Sequence, residues 1–189
     1  NQNVIPSIIF SGPPGVGKTT IANLIAKELN RSIYTLSAIN SGVKDVREII
    51  QKASSLGLFS KDIPILFIDE IHRFSKSQQD SLLAAVEKGI ITLIGATTEN
   101  PSFEVISALL SRSQVYVLES LKKKDLLKLI NRSIKNDIFL KKKNIILKET
   151  NALIRISGGD ARKLLNVIEL VVNSEDKKEI EITDEMVIK

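Results

Sequence analysis

A glycine-rich loop between an apolar run and an amphipathic segment constrains this chain more than any other feature. The loop Gly12-Pro13-Pro14-Gly15-Val16-Gly17-Lys18-Thr19 matches the phosphate-binding pattern G-x-x-x-x-G-K-[ST]. The apolar run before it, residues 4–10, predicts a short buried strand, and residues 18–29 repeat apolar side chains at helical spacing. A strand that enters a glycine loop at the start of a helix indicates an α/β fold with a phosphate site at this turn.

Successive backbone N–H groups of such a loop point toward one position, where the helix N-terminus adds partial positive charge and favours a polyphosphate. We expect the Lys18 ammonium to reach the β- and γ-phosphates of a nucleotide and the Thr19 hydroxyl to bind Mg²⁺. An ordinary Gly/Pro turn, the alternative, would not need these two side chains together. The predicted nucleotide-binding residues are Gly12, Pro13, Pro14, Gly15, Val16, Gly17, Lys18, Thr19 and Thr20.

Strand and helix patterns alternate after the loop, and this alternation predicts a five-stranded parallel sheet covered by helices on both faces. The predicted strands are residues 4–10, 33–36, 64–69, 91–96 and 115–118. The predicted helices are residues 18–29, 42–56, 76–88 and 104–110. We therefore expect residues 1–119 to form an α/β nucleotide-binding domain.

Strand signals fade from residue 122 onward, and we expect residues 120–189 to form a small helical domain that is truncated at its C-terminus. The predicted helices cover residues 121–130, 148–156 and 160–172, the last opened by Asp160 as its N-cap. Residues 173–179 read as a charged loop, and Thr183 as the N-cap of a further helix. The chain begins with Asn1 just before its first strand, so we expect it to be a fragment of a longer protein.

Composition excludes several classes of site. The chain has no cysteine and one histidine, which rules out disulfides, thiolate zinc sites and cysteine nucleophiles. No apolar stretch approaches the roughly 18–20 residues of a membrane span, and the N-terminus lacks the features of a secretory signal. We expect a soluble, cytoplasmic protein with no membrane partner.

The net charge of +5 is concentrated in the second part of the chain. Residues 1–119 carry 11 basic and 11 acidic side chains, whereas residues 122–148 alone carry ten basic and two acidic ones. A basic surface beside a nucleotide site suggests contact with nucleic acid. A solvated helical face in a lysine-rich protein is the alternative, and it explains the composition equally well.

Two carboxylates follow an apolar strand. Asp69 and Glu70 end the run Ile65-Leu66-Phe67-Ile68, and Asp69 lies 51 positions after Lys18. We expect Asp69 to hold Mg²⁺, directly or through water, and Glu70 to polarise the water that attacks the γ-phosphate. Acids favoured by a helix dipole are the alternative.

Polar side chains also follow the strand at residues 91–96, which a parallel sheet should place beside the first strand. Thr98 is the predicted residue that orients the attacking water, with Thr97 as a substitute and Asn100 as a weaker one. A polar exit from the strand explains the residue types but not their position.

Several runs of residues together resemble the AAA+ ATPases, and within them the replication-associated recombination protein A family with its Werner-helicase-interacting relatives. The similar runs are Ser41 to Arg47, Asp69-Glu70-Ile71-His72-Arg73-Phe74 to Asp80, Ile94 to Phe103, and Ser107-Ala108-Leu109-Leu110-Ser111-Arg112. The resemblance is dense from Gly12 to about Leu121 and thinner beyond.

The resemblance implies an AAA+ P-loop NTPase with a helical lid, an ATP hydrolase of the clamp-loader clade that uses ATP and Mg²⁺. Asp69 and Glu70 would take the Walker B roles, and Thr98 the sensor 1 position. Arg112 would be an arginine finger that reaches a neighbouring subunit's γ-phosphate, with a surface arginine at a helix C-terminus as the alternative. Arg162, in Gly158-Gly159-Asp160-Ala161-Arg162, would be the sensor 2 residue.

The implied role is maintenance of replication forks, recombination and repair, on forked, gapped or single-stranded DNA. The full-length protein would be a homo-oligomer, and single-strand binding protein is a further candidate partner. The resemblance implies adenine-covering residues before the first strand and a C-terminal region that drives tetramer formation, and we expect this chain to lack both. We therefore expect a monomer that binds ATP weakly and hydrolyses it slowly.

Three other functions compete with this interpretation. A Holliday-junction branch-migration motor shares the strand end Gly95-Ala96-Thr97-Thr98, but the stretch from Glu70 to Thr97 leaves no room for the β-hairpin of such motors. A bacterial clamp-loader motor subunit would carry a zinc module that needs cysteine. A nucleotide-binding adaptor that does not hydrolyse ATP would not need Lys18, Glu70, Arg112 and Arg162 together. We interpret His72 as a residue that packs or hydrogen-bonds locally rather than as a base.

Overall fold

The chain forms two compact units in the computed structural model, which describes residues 5–57, 63–175 and 179–189. Among the described residues, the first unit contains those up to Gly12 and those of Gly17–Leu118. The second unit contains Pro13–Val16 and Glu119–Lys189. None of the helices in the described ranges is long and apolar enough to cross a membrane.

A five-stranded parallel sheet forms the centre of the first unit, as the alternating pattern predicts. Its strands are β1 (Ser7–Ser11), β2 (Ile33–Ser37), β3 (Ile65–Asp69), β4 (Thr92–Thr97) and β5 (Ser113–Val117). Their spatial order is β2-β3-β4-β1-β5, and every neighbouring pair is parallel. The carboxyl ends of β1, β3 and β4 therefore lie along the same edge of the sheet.

Alternate residues of the central strands supply two separate apolar clusters, as the period of two in a strand requires. Ile9, Leu66 and Ile68 belong to one cluster. Ile8, Phe10, Ile65 and Phe67, their neighbours along the same strands, belong to the other, together with Ala22 and Ala26 from the first helix. Both faces of these strands are buried, which explains why their sequences are continuously apolar.

Helices connect the strands within small shifts of the predicted bounds. They are α1 (Lys18–Glu28), α2 (Val43–Gly57), α3 (Lys76–Glu87), α4 (Pro101–Glu104) and α5 (Ser107–Leu110). A short 3₁₀ helix, Ile71–Arg73, follows β3. A capping box begins α3, because the Ser75 hydroxyl accepts from the Gln78 N–H and the Gln78 side chain accepts from the Ser75 N–H.

The prediction of one helix over residues 104–110 is wrong. Two short helices, α4 and α5, are separated at Val105, whose backbone is extended. Asn100 caps α4 earlier than expected, with Pro101 at the first helical position. The Ile106 N–H donates to the Gln79 side-chain oxygen (2.9 Å) instead of to a preceding carbonyl, so a buried glutamine from α3 stabilises the break.

The second unit is mainly helical but contains a small sheet that the sequence interpretation missed. Its helices are α6 (Lys123–Asn136), α7 (Asn151–Ser157), α8 (Ala161–Asn173) and α9 (Asp184–Ile188), with a 3₁₀ helix at Leu140–Lys142. The predicted caps at Asp160 and Thr183 are confirmed, since each side chain accepts a hydrogen bond from the first turn of its helix. Part of the predicted loop at residues 173–179 lies outside the described residues.

The small sheet pairs β6 (Asn144–Leu147) with β7 (Glu179–Ile182) in parallel. Ile180 and Ile182 alternate with two exposed glutamates and are almost fully buried. They join an apolar cluster formed by α6, α7 and α8, which includes Leu126, Leu153 and Ile168. The expected helical domain therefore also contains two four-residue strands, which complete its core.

Candidate functional site

The site begins where β1 and β4 end side by side. The Gly12 N–H, just after β1, donates to the Thr97 carbonyl at the end of β4 (3.1 Å). Gly12 has φ +154°, and a Cβ at this position would collide with the Leu118 carbonyl oxygen. Only glycine fits here, so the first glycine of the loop fixes the exit from β1 beside the polar end of β4.

The start of α1 suits an anion. Gly17 occupies the N-cap with φ +98°, a conformation that other residues rarely adopt, and it offers no side chain to cap the helix. The first turn of α1 carries no acidic residue. Its backbone N–H groups therefore point outward with the partial positive charge of a helix N-terminus, which is the arrangement that binds phosphate elsewhere.

Lys18 is buried, with only 8% of its surface exposed, and its ammonium donates to the Gly12 carbonyl at 2.7 Å. The cation therefore lies against the backbone of the loop that the sequence pattern assigns to phosphate. Thr19 and Thr20 follow in the first turn of α1, where the Thr19 carbonyl accepts from the Asn23 amide (2.9 Å).

The tip of the glycine loop, Pro13–Val16, belongs to the second unit. Within that unit the Gly15 carbonyl accepts from the Ala161 N–H, in the first turn of α8, at 3.1 Å. Gly15 has φ +69°, and a Cβ there would collide with the Asp160 carboxylate. The second glycine of the pattern therefore permits a close approach between the loop tip and the N-terminus of α8.

Asp69 and Glu70 lie at the carboxyl end of β3, as predicted. Asp69 is the last residue of the strand, and its carbonyl accepts from the Ala38 N–H (3.0 Å). Glu70 has φ +54° and begins the 3₁₀ helix that follows. A glutamate in the left-handed region is uncommon and costs energy, and such conformations concentrate where a side chain must point in a required direction.

The structure brings Glu70 together with Thr98, the predicted water-orienting residue. The Thr98 hydroxyl donates to Glu70 Oε2 at 3.4 Å, a long hydrogen bond. Both side chains lie at the ends of neighbouring strands, β3 and β4, which explains their proximity despite a sequence separation of 28 positions. A carboxylate and a hydroxyl at this spacing could both hydrogen-bond to the same water molecule.

His72 joins the same cluster. Its Nδ1 lies 3.2 Å from Glu70 Oε2 and 2.9 Å from the hydroxyl oxygen of Thr97, which is fully buried. The Thr97 oxygen also accepts from the Glu99 N–H (3.0 Å). A carboxylate this close favours a proton on Nδ1, so one N–H donor serves both Glu70 and Thr97. The interpretation of His72 as a locally hydrogen-bonded residue agrees with these contacts.

Arg112 is not beside the Glu70 cluster but is held on the surface by α3 and α5. Its guanidinium forms an ion pair with Glu87 Oε1 (2.6 Å) and donates to the Ala108 carbonyl (2.9 Å) and the Ser111 hydroxyl (3.0 Å). The side chain is about two-fifths exposed. Arg162, the other predicted arginine, is exposed in the first turn of α8 in the second unit.

The sequence interpretation missed Gln79, a buried residue that supports the site. Its amide nitrogen donates to the Phe74 and Glu104 carbonyls (3.0 Å each), and its oxygen accepts from Ile106. Gln79 therefore joins the segment after Glu70 to the segment after Thr98. The signal was present, because Gln79 occupies an apolar-face position of α3 in line with Leu82 and Val86.

Comparisons with known proteins agree with this geometry. Residues 8–121 match the sequence model of the family described as "ATPase family associated with various cellular activities (AAA)". The ATPase WRNIP1 of Dictyostelium discoideum is 48% identical over 93% of this chain, which covers 20% of that protein. Replication-associated recombination protein A of Escherichia coli K12 is 42% identical over 97% of this chain, which covers 41% of that protein.

A solved structure shows the same fold. The Thermotoga maritima RuvB Holliday junction branch migration motor superposes on 98% of this chain with a TM-score of 0.74 and 29% identity, and the match covers 60% of the RuvB chain. This chain thus spans less than half the length of the curated relatives named above. Both curated relatives carry the names of the family that the sequence resembles, replication-associated recombination protein A and its Werner-helicase-interacting relatives.

Proposed function

The chain belongs to the AAA family of ATPases, and from this premise we propose that it binds ATP with Mg²⁺, hydrolyses it and forms the motor core of a protein that acts on DNA in fork maintenance, recombination and repair. The observation that carries the hydrolytic part is the Glu70–Thr98 pair at the ends of β3 and β4. A carboxylate and a hydroxyl beside a phosphate-binding loop are the groups that position an attacking water.

The residues present suit both ligands. A glycine-capped helix N-terminus without acidic side chains suits the phosphates of ATP. Mg²⁺ is usually bound by one or two protein oxygens together with substrate phosphates, and the Thr19 hydroxyl and Asp69 carboxylate are such donors. No cluster of three or more potential metal-ligating side chains occurs in the part of the chain that the structure describes. Mg²⁺ bound through phosphate requires none.

Glu70 would accept a proton from the water as that water attacks the γ-phosphate, while Thr98 fixes the water's orientation. Lys18, whose ammonium donates to the Gly12 carbonyl, would neutralise charge on the β- and γ-phosphates. Mg²⁺, when bound, would stabilise charge on the phosphate oxygens. The gain expected from a correctly placed general base is about 10²- to 10⁴-fold in rate.

Action on DNA is proposed from the relatives. Proteins named for replication-associated recombination are 42–46% identical to this chain over 88–97% of its length. The surplus of basic residues within residues 122–148 supports a nucleic-acid partner. Assembly of several copies, in which Arg112 completes a neighbour's site and Arg162 senses the nucleotide, is proposed on the same resemblance.

A branch-migration motor remains the second candidate because of the RuvB superposition. Between Asp69 and Thr92, all of which is described, the chain forms only the 3₁₀ helix and α3. The β-hairpin expected of such motors has no place there. Identity is also lower, at 29% against 42% for the recombination protein of Escherichia coli.

Replacement of Glu70 by Gln tests the proposed hydrolysis. We expect Glu70→Gln to retain ATP binding and to lose at least about a hundredfold in kcat, because the amide cannot accept the proton. Glu104→Gln, an exposed change on α4, is the matched control. Binding is measured with a fluorescent ATP analogue and hydrolysis by phosphate release, with and without DNA. Unchanged turnover by Glu70→Gln would refute the proposed mechanism.

A further inference from the structure

We propose that residues 137–143 of the second unit, called here the Phe139 turn, form a contact site for single-stranded nucleic acid in which a base stacks on Phe139 and Lys141 and Lys142 contact the flanking phosphates. This inference deepens the proposed action on DNA and rests on it. It names the part of the chain that binds and the form of nucleic acid that it would accept. The site lies entirely within the second unit and shares no residue with the ATPase site.

The Phe139 turn is held in one shape by its own acid. Asp137 Oδ1 accepts hydrogen bonds from the N–H groups of both Phe139 (2.8 Å) and Leu140 (3.0 Å). These bonds, that of Leu140 first, hold the pKa of the Asp137 carboxyl below its ordinary value. The carboxylate is therefore ionised at neutral pH, and it stabilises the turn that presents Phe139.

Two further contacts fix the turn to the body of the second unit. Leu140 is buried in the apolar cluster of that unit. The Lys143 ammonium donates to the carbonyls of Val172 (2.7 Å) and Glu175 (3.0 Å). The turn is thus anchored at Leu140, next to Phe139, and at Lys143, and it presents its exposed side chains on the surface of the second unit.

The side chains that the turn presents are apolar and exposed. Phe139 is 77% exposed and Ile138 is 63% exposed. Single exposed apolar residues are common on protein surfaces, but an aromatic ring held on an anchored turn offers a preformed surface with little entropy left to lose. A flat aromatic face of this kind is what stacks on nucleobases in proteins that bind single strands.

Ammonium groups border the ring. Lys142 Nζ lies 5.9 Å from the centroid of Phe139, the only cation–π pair in the described part of the chain. Lys141 and Lys142 are both exposed. One of the two acids within residues 122–148 is Asp137, whose carboxylate already accepts two backbone hydrogen bonds. Residues 137–143 carry three lysines against this one acid, so the field around the ring is positive and suits the phosphates on either side of a stacked base.

The geometry favours an unpaired strand over a duplex. The bases of a duplex are already stacked on one another, so a projecting phenylalanine ring can stack only on a base that is free. The basic residues also continue along α6, which suits a polyanion with regularly repeated charge better than a short acidic peptide. An acidic peptide with an apolar end is the rival occupant, and fluorescence quenching at residue 139 separates the two.

The chain has no tryptophan, so Phe139→Trp introduces a single fluorescent reporter at the site. We expect oligo-dT to quench its emission, with an affinity that falls steeply as salt rises. Leu170→Trp, at an exposed apolar position of α8 beside Glu169, is the matched control in the same unit and should not respond. Phe139→Ala should weaken binding of oligo-dT about tenfold, and melting curves should show that the variant is folded.

The inference would be overturned if the chain did not bind oligo-dT at low salt, or if Phe139→Ala bound oligo-dT as tightly as the parent chain does. It would also be overturned if the chain bound duplex and single-stranded DNA with equal affinity, or if an acidic peptide quenched the fluorescence and oligo-dT did not. ATP hydrolysis is measured on the same samples without DNA, and Phe139→Ala should leave it unchanged. Loss of single-strand binding with normal hydrolysis supports the inference. If the chain hydrolyses ATP but its binding of oligo-dT does not depend on Phe139, only this inference is contradicted. If binding of oligo-dT depends on Phe139 but the chain does not hydrolyse ATP, the proposed ATPase function is contradicted instead.

Discussion

The imidazole Nδ1 of His72 lies 3.2 Å from Oε2 of the Glu70 carboxylate. The same nitrogen lies 2.9 Å from the hydroxyl oxygen of Thr97, a buried residue of β4. One N–H donor thus has two acceptors. If bound nucleotide and water draw Glu70 away, the donor keeps Thr97 as its partner, so movement of the carboxylate leaves no buried group without a hydrogen bond.

From this arrangement we predict that His72 orients Glu70. His72→Leu removes the donor and should lower kcat about tenfold with little change in KM, since a hydrogen bond to a charged group contributes roughly 1.5–3 kcal/mol. His72→Asn, whose amide nitrogen has a similar reach to Nδ1, should retain most of the activity. Steady-state kinetics and melting temperatures of both variants check this. A higher KM with normal kcat would contradict an orienting role.

Gln79 provides a prediction about stability. Gln79→Leu keeps a similar volume but leaves the Phe74 and Glu104 carbonyls and the Ile106 N–H without their side-chain partner. Because buried polar groups without partners cost about 1–3 kcal/mol each, we expect the free energy of unfolding to fall by about 3 kcal/mol. Chemical denaturation measures this, with Gln51→Leu on the exposed face of α2 as the control. Equal stability of the two variants would contradict the role assigned to Gln79.

The ion pair between Arg112 and Glu87 leads to a prediction about assembly. If Arg112 completes a neighbour's site, Arg112→Ala should lose about 10³-fold or more in ATP hydrolysis. Glu87→Gln should change stability by less than about 1 kcal/mol, because both groups are partly exposed.

A mixing experiment separates this role from a structural one. In the full-length protein, Arg112→Ala and Glu70→Gln are each expected to be inactive in isolation, but a shared site would regain activity when the two are mixed, since some interfaces would then hold both intact residues. Phosphate release as a function of the mixing ratio measures the effect. Inactivity at every ratio, with both variants folded and able to associate, would argue against a trans-acting arginine.

The Phe139 turn should be sensitive to acid. The folded-state pKa of Asp137 lies below its ordinary value because the Leu140 and Phe139 N–H groups bind the ionised form. Its stabilising effect is therefore complete above the unfolded pKa and is lost as pH falls through the folded-state value.

We predict that exchange of the Leu140 amide hydrogen accelerates, after correction for intrinsic rates, as Asp137 becomes protonated. Asp137→Asn keeps an acceptor oxygen and should protect the amide with no such acid transition. Asp137→Ala should lose protection at every pH. Hydrogen exchange followed by NMR measures all three chains. An identical acid transition in the parent and in Asp137→Asn would show that another group is responsible.

The central sheet was predictable because its strands, which are buried on both faces, are continuous apolar runs, and clear sequence signals mark where some of these runs end. The glycine loop and the acids after β3 mark where two strands end, and parallel pairing then places Glu70 near Thr98. The contact between Arg112 and Glu87 was not predictable, because it depends on how the ends of α3 and α5 pack together. Hydrophobic periodicity in the sequence does not indicate such packing. The assignments of catalytic and binding roles stay predictions.

The small sheet of the second unit was missed for a different reason. β6 has four residues within a lysine-rich segment and follows a 3₁₀ turn, so its apolar residues resemble part of a helix face. β7 did carry a signal, the strict alternation of glutamate and isoleucine over residues 179–182. A single short alternating run does not predict a sheet unless the strand that pairs with it is also recognised, and that strand, β6, lies 35 positions earlier.

The pairing of β6 with β7 also sets the order in which the two units can fold during synthesis on the ribosome. Domains form from the N-terminus as synthesis proceeds. The five strands of the first unit are complete by Val117. Ile145 and Leu147, by contrast, gain their partners Ile180 and Ile182 only when translation reaches residues 179–182. Until β7 has been synthesised, the core of the nascent second unit is incomplete. Its apolar residues are then exposed and accessible to a chaperone or a protease.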